Sequence, residues 1–277
     1  MKVVVTGAGG YIGAHVVDEA LSKGHEVIAI DMSLKNISDK AIKKNLDIFA
    51  THDNLFQALG EPDVLIHLAW RDGFIHNSEQ HMKNLSAHIE FVRNYVKSGG
   101  KNVAVMGSMH EVGYHEGAVD ENTPTNPQSQ YGIAKNAMRE SLTLASKELG
   151  FNLYWLRAYY IFGDDEYGSS IFSKLTRAAK NGDETFPFTT GKNLYDFIHV
   201  KDLAKMIVAA STQNEITGVI NVATGQAKSL AEQVEWYIQS NGWPIKLSYG
   251  VFPDRPYDSP GIWADATKIK KIMENYD

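Results

Sequence analysis

Val3-Val4-Val5-Thr6-Gly7-Ala8-Gly9-Gly10-Tyr11-Ile12-Gly13 joins a β-branched run to an amphipathic stretch through glycines at positions 7, 10 and 13. Four β-branched residues in succession favour an extended strand, and the lack of polar alternation favours one covered on both faces. The glycines suit the turn from such a strand into a helix. Gly7 permits the tight bend, Gly10 admits a pyrophosphate to backbone N–H groups, and Gly13 lets helix and strand pack closely. No Gly-Lys-Ser/Thr follows, which argues against a nucleoside-triphosphate loop. The next apolar run, Glu26-Val27-Ile28-Ala29-Ile30, leads to Asp31, 18 residues past Gly13. A carboxylate there accepts hydrogen bonds from an adenosine ribose and repels a 2′-phosphate, and Lys35 is the first cation that follows. The expected cofactor is NAD, with NADP the alternative.

Outward from this turn, Val64-Leu65-Ile66-His67-Leu68, Asn102-Val103-Ala104-Val105-Met106 and Leu153-Tyr154-Trp155-Leu156 are further short apolar runs bounded by Gly, Asp, Pro or Asn. Helices are expected around 11–22, 80–97, 131–148 and 171–181; the second carries Met82, Leu85, Ile89, Val92 and Val96 at helical spacing. Strands alternating with crossover-length helices predict the α/β class. The expected architecture is a Rossmann fold, a doubly wound parallel sheet of five or six strands, with a small C-terminal α/β substrate-binding region. Residues 1–163 form mainly the NAD-binding domain and 164–277 mainly the substrate-binding region. Elements within about 193–222, including strands near Phe197 and Val219 to Val222, return to the first domain.

Composition narrows the function classes. In 277 residues, 43% are hydrophobic and 22% charged, which fits a folded globular chain rather than a disordered or fibrous one. The net charge of −6 with scattered basic residues leaves no footprint for nucleic acid. With no cysteine there is no disulfide, thiolate nucleophile or thiolate metal site. The histidines at 67, 76, 81, 88, 110, 115 and 199 lack a metal-site spacing with a carboxylate partner, so no metal is expected. The apolar run after Met1 is too short for a signal-peptide core and nothing nears the roughly 18 apolar residues of a membrane span, which predicts a cytoplasmic enzyme without a membrane partner.

Tyr131-Gly132-Ile133-Ala134-Lys135 sets a phenol and an ammonium one helical turn apart on one face. A phenol of ordinary pKa about 10 becomes a useful base at neutral pH only if its phenolate is stabilised, which Lys135 and a cationic nicotinamide would do. Ser108 follows the run Val103 to Gly107, at the strand edge where open α/β sheets bind ligands. The three suggest alcohol/ketone interconversion, with Tyr131 moving the proton, Ser108 holding the reacting oxygen and Lys135 binding the nicotinamide ribose.

With these residues in place, the chain resembles the extended short-chain dehydrogenase/reductase family, in its nucleotide-sugar epimerase/dehydratase branch. Beyond the glycine-rich turn and Tyr-x-x-x-Lys, His67-Leu68-Ala69, Asn84, Asp47-Ile48, Leu156-Arg157 through Phe162-Gly163, Asp196-Phe197-Ile198-His199-Val200 and Arg255-Pro256 resemble its ordered signatures. The resemblance implies cofactor contacts from Gly7, Gly10, Tyr11, Ile12 and Gly13 in the turn, and from Asp31, Asp47 and Ile48 at the adenosine end. Leu68, Ala69, Trp70 and Asn84 would flank the cofactor, with Tyr131 and Lys135 at its nicotinamide end. Ser108, Tyr160 and Arg255 would meet substrate; Tyr160 and Tyr195 stand where many relatives carry Asn and Arg. The implied activity is NAD-dependent chemistry at C4 of a nucleotide-diphosphate sugar, with 4-epimerisation ahead of 4-keto reduction of a nucleotide-linked deoxysugar. The rival of another class is a non-catalytic cofactor-sensing regulator. A homodimer through helices 80–97 and 131–148 is also implied.

Overall fold

A computed structural model describes residues 1–50, 53–163, 166, 168, 170–253 and 259–276. In chain order the first elements are β1 (Lys2–Thr6), α1 (Tyr11–Ser22), β2 (Glu26–Ile30), β3 (Ile42–Lys44), α2 (Leu55–Ala58), β4 (Val64–His67), α3 (Gln80–Lys97), β5 (Asn102–Ser108), β6 (Gly117–Val119), α4 (Gln130–Leu149) and β7 (Asn152–Ala158). They continue with β8 (Tyr160–Phe162), α5 (Ile171–Lys180), β9 (Thr185–Pro187), β10 (Leu194–His199), α6 (Val200–Ser211), β11 (Gly218–Val222), β12 (Ala227–Ser229), α7 (Leu230–Ser240), β13 (Lys246–Ser248), β14 (Gly261–Ala264) and α8 (Thr267–Met273).

Among the described residues, seven parallel strands form the large sheet in the order β11-β7-β5-β4-β1-β2-β3. Alternation along β1 sends Val3 and Val5 into a core with Val16 and Val17 of α1 and Leu203 and Ile207 of α6. Val4 enters the opposite core with Phe91 and Val92 of α3 and Met138 and Leu142 of α4. Both faces are therefore dry, which explains the uninterrupted apolar run. The seventh strand, β3, exceeds the five or six expected. Ile42-Lys43-Lys44 is a short edge strand with Ile42 exposed, so it carries no alternation to read.

The second sheet runs β12-β10-β14-β6, with β8 also paired to β10. Its core collects Tyr159, Phe162, Phe172, Phe188, Tyr195 and Phe197 with Val234 of α7. Within 193–222, α6 packs in the core of the large sheet and β11 pairs with β7, whereas β10 belongs to the second sheet. The large sheet changes winding direction between β1 and β4. The crevice beyond their carboxyl ends, lined by the turn after Thr6 and the segment after His67, is where such sheets take ligands.

Candidate active site

The glycine turn is built by backbone crowding. Gly7 has φ of 71°, and a Cβ on it would lie 2.7 Å from the Ala69 nitrogen; a Cβ on Gly13 would lie 2.0 Å from the Gly7 carbonyl oxygen. No side chain larger than hydrogen fits either place. Gly9 escaped the sequence reading, yet a Cβ there would lie 2.4 Å from the Ser33 carbonyl oxygen. The Asp31 carboxylate ties this corner together, accepting from Gly9 N–H at 3.0 Å and Ser33 N–H at 3.0 Å. Asp31 is thus a structural clasp as well as an expected ribose acceptor. Gly10 caps α1 without any side-chain hydrogen bond, so α1 begins beside the glycine turn with the positive end of its dipole. The NAD expected from sequence fits this cradle: close backbone, a positive helix end for its pyrophosphate, and a carboxylate for its ribose. The Tyr11 hydroxyl donates to the Gly163 carbonyl, linking the turn to the end of β8.

Beside the cradle lies a group of rings. Thr6 Oγ1 and His67 Nδ1 share a hydrogen bond of 2.7 Å, and His67 Nε2 and His88 Nδ1 share one of 2.9 Å. Burial, with His88 and Lys135 nearby, holds His67 well below the ordinary imidazole range; burial and Lys135 bring His88 down to about 3. Both imidazoles are neutral at physiological pH. Trp70 lies parallel to His88, and Phe49 meets the same imidazole edge-on. Lys135 is buried, donates to the Met106 carbonyl at 2.8 Å, and is drawn down to about 7 by burial against the opposing pull of Glu111.

Ser108 ends β5 and starts a short helical turn over Met109–Glu111 through a capping box. Its hydroxyl accepts from His110 N–H at 3.3 Å, and its own N–H donates to Glu111 Oε1 at 2.6 Å. The same hydroxyl favours the ionised form of the Tyr131 phenol, against the effect of burial. Tyr131 enters at the start of α4, where Ser129 caps the helix and the Tyr131 N–H donates to the His76 carbonyl at 2.9 Å. The rings of His76, His81, His110 and Trp70 surround its phenol ring, with centroids 5.3 to 6.2 Å away. Burial pushes Tyr131 up to about 12, with the Ser108 hydrogen bond opposing and Glu111 assisting. The protein groups by themselves thus raise the phenol, whereas the lowering expected from sequence was assigned to Lys135 together with a cationic nicotinamide. A lysine that is itself desolvated supplies too little field.

Glu111 is the functional group that the sequence reading missed. It is fully buried, accepts from Trp155 Nε1 at 3.0 Å, and lies 3.5 Å from both Arg139 Nε and Arg157 Nη2. Burial raises its carboxyl, while Arg157, the Ser108 N–H, Trp155 and Arg139 pull the other way. Gly107 makes the arrangement possible, since a Cβ there would lie 2.3 Å from Trp155 Nε1. The signal was present as Ser108-x-x-Glu111, the spacing of a capping box.

The remaining expected residues are spread around this centre. Asp47 accepts from Phe49 N–H at 2.9 Å, and Ile48 lines a cleft of about 100 Å³ with Phe49, Leu55, Ala87 and Phe91. Asn84 is half-buried on α3 between His81 and His88 in sequence, and Leu68 and Ala69 follow β4 against the glycine turn. Tyr160 lies in the second region, with its ring 4.0 Å from that of Tyr195 and 5.7 Å from that of Phe197. Arg255 lies outside the described residues.

No helix among the described residues is long and apolar enough to cross a membrane. Residues 3–223 match the model of the NAD dependent epimerase/dehydratase family. The chain is 42% identical over 268 residues to dTDP-6-deoxy-L-talose 4-dehydrogenase (NAD(+)) of Aggregatibacter actinomycetemcomitans, covering 95% of this chain and 99% of that protein. Among solved structures, UDP-N-acetylglucosamine 4-epimerase from Methanobrevibacter ruminantium M1, in complex with UDP-N-acetylmuramic acid, superposes with a TM-score of 0.86 at 25% identity, over 100% of this chain and 93% of that one. MoeE5 in complex with UDP-glucuronic acid and NAD gives 0.81 at 26%, over 99% of this chain and 93% of that one. The glycine cradle, the ring-flanked Tyr131 one helical turn from buried Lys135, and full-length likeness to NAD-using relatives have one consistent explanation: this chain is an enzyme belonging to the NAD-dependent epimerase/dehydratase family.

Proposed function

We propose that the enzyme acts at C4 of a nucleotide-diphosphate sugar, and that its net reaction is hydride transfer between C4 of a dTDP-linked 6-deoxyhexose and NAD. The observation that carries the net-transfer reading is the 42% identity with a 4-dehydrogenase over nearly the whole of both chains. The relatives with solved structures include a 4-epimerase at 25% identity, which keeps 4-epimerisation as the second reading.

The residues divide the work as follows. Ser108 positions the C4 oxygen next to the Tyr131 phenol, whose ionised form it favours. Tyr131, as phenolate, takes the hydroxyl proton, while the C4 hydrogen leaves with its electron pair and the C4–O bond becomes a carbonyl. Bound NAD supplies the hydride acceptor and the positive nicotinamide ring that a buried phenol needs to ionise. Lys135 offers a cation one turn along α4 and donors for ribose hydroxyls. The rings of Trp70, His76, His81 and His110 keep water from the phenol, so the proton has few competing acceptors.

The test is to supply purified protein with dTDP-6-deoxy-L-talose and NAD and follow absorbance at the NADH band together with the sugar product. One NADH for each 4-keto sugar is the expected result. Conversion of a dTDP- or UDP-hexose to its C4 epimer without added NAD and without net NADH would replace this reading with the epimerase.

The same reading extends to a homodimer formed through α3 and α4. These helices expose Met82, Ile133 and Leu144, and Arg93 of α3 bridges to Glu148 of α4 at 3.3 Å to hold the two as one surface. Sedimentation equilibrium at micromolar concentration should give twice the 30.8 kDa chain mass; a monomer would reject it.

A further inference from the structure

We propose that Trp70 is a positioning residue for Lys135: its indole face holds the buried ammonium by cation–π attraction, and two histidines hold the indole, His81 by a hydrogen bond at its edge and His88 by stacking on it. The proposal rests on the reading that Lys135 serves hydride transfer, but its test does not depend on turnover.

Lys135 Nζ lies 3.7 Å from the Trp70 ring centroid, well within the ~6 Å range of such contacts. Its hydrogen bond goes to a neutral carbonyl, that of Met106. The carboxylate acting on it is Glu111, which already faces Arg139 and Arg157. The ammonium therefore sits in a dry place without a carboxylate of its own. An aromatic face offers negative potential there without adding a titrating group, and a desolvated site strengthens the attraction.

The indole is locked in plane. Trp70 Nε1 donates to His81 Nδ1 at 3.1 Å, and His81 Nε2 donates to the Ile75 carbonyl at 2.9 Å, which sets the His81 tautomer. The His81 and His88 rings each lie 17° from the indole plane, with centroids at 6.1 and 4.6 Å. His88 is held by His67, and His67 by Thr6, the residue that precedes Gly7. A continuous line of contacts thus runs from the start of the cofactor turn to the amine of Lys135. His81 and His88 are one heptad apart on α3, which puts both on the face that packs toward the sheet.

The titratable groups around Lys135 are Tyr131 on its own helix, Glu111 in the turn after β5, His67 at the end of β4 and His88 on α3. Burial keeps both histidines neutral near pH 7, so the Lys135 midpoint reports burial, Glu111, the phenol and the indole face. Removing the indole face weakens the charged form and lowers the midpoint, which already lies at about 7. A modest further drop would leave the amine mostly neutral in the working range.

The experiment is competitive labelling with trace acetic anhydride, in protein stripped of nucleotide, with the Lys135 peptide read by mass spectrometry across pH. In Trp70→Leu the midpoint should fall by about one pH unit, a tenfold change in the dissociation constant. A second arm replaces all five tryptophans with mono- and then difluorotryptophan, which drains the ring face while keeping its shape. The midpoint should fall stepwise with fluorination, and this dependence should vanish in a Trp70→Phe background. A midpoint insensitive to fluorination overturns the proposal, as does one that stays or rises in a cooperatively melting Trp70→Leu protein. If Trp70→Leu does not fold, the fluorination series decides alone. A stepwise response in a protein that oxidises no sugar nucleotide would reject the proposed activity and leave the positioning role standing.

Discussion

In the large sheet the strands β5 and β7 run seven residues each between two helical layers, whereas β6, β8 and β12 of the second sheet are three residues long and gather on aromatic rings. The first region builds its cradle from backbone, through crowded glycines, a helix N-terminus and one carboxylate. The second presents side chains, among them the Tyr160–Tyr195 pair. A backbone cradle needs a fixed local sequence. A side-chain wall can be rebuilt one residue at a time, so the proposed function puts substrate choice in the second region and cofactor choice in the first.

Two buried carboxylates connect the regions. Asp196 of β10 accepts from Thr224 and Gly225 after β11 and from Ala264 N–H on β14. Glu111 joins the capping box of Ser108 to Arg157 of β7, and Arg157 donates in turn to the Asp120 carbonyl after β6. Both lie at the seam between the two sheets.

The sharpest break in the comparison is Tyr131→Phe. It should lower kcat by about 10² to 10⁴-fold while NAD affinity, measured by titration, stays within about threefold, because the cradle is untouched. An equal loss of NAD affinity would show that the phenol belongs to the binding surface instead. Glu111→Gln comes next. It leaves Arg157 buried without a full counter-charge and should cost about 3 kcal/mol in denaturant unfolding, together with loss of activity. Stability within a few tenths of the parent would mean that the seam tolerates a neutral partner.

An acid series examines the cofactor side. His88 and His110 are held at about 3 and about 4 by burial, so the unfolded chain binds more protons than the folded one below pH about 6.5. Their contribution is complete above that pH and declines as pH falls toward those lower values. Thermal melts should show this decline, and His110→Asn should flatten it; an unchanged slope would locate the acid sensitivity elsewhere. The smallest effect is expected from Tyr160→Phe, a several-fold change in sugar-nucleotide KM with NAD affinity unaltered. A change in NAD affinity would erase the division of labour between the regions.

Legibility followed sequence distance. Gly7, Gly10 and Gly13 share one turn, and Tyr131 and Lys135 share one helix face, so local geometry sufficed to connect them. Ser108 was readable because strand ends at the carboxyl edge of a parallel sheet are ligand sites in general. Histidines 67, 81 and 88 carried no metal spacing and gave no hint that His81 and His88 would meet Trp70 or that His67 would hold His88, because the loop from β4 to α3 that brings them together has no periodicity to read. Glu111 and Trp155 are 44 residues apart and meet only because β5 and β7 are neighbours.

The order of residues alone determined the parallel sheet, the glycine turn and the pairing of Tyr131 with Lys135 on one helix face, since each depends on periodicity or spacing within one or two elements. Only the folded chain determined the charge state of that pair. Burial raised the phenol and lowered the lysine, in the sense opposite to a simple ion pair in water, because the cost of desolvating a charge depends on everything packed around it. The histidine-held indole beside Lys135 belongs to the same class of fact, as contacts between distant segments exist only after the layers have closed.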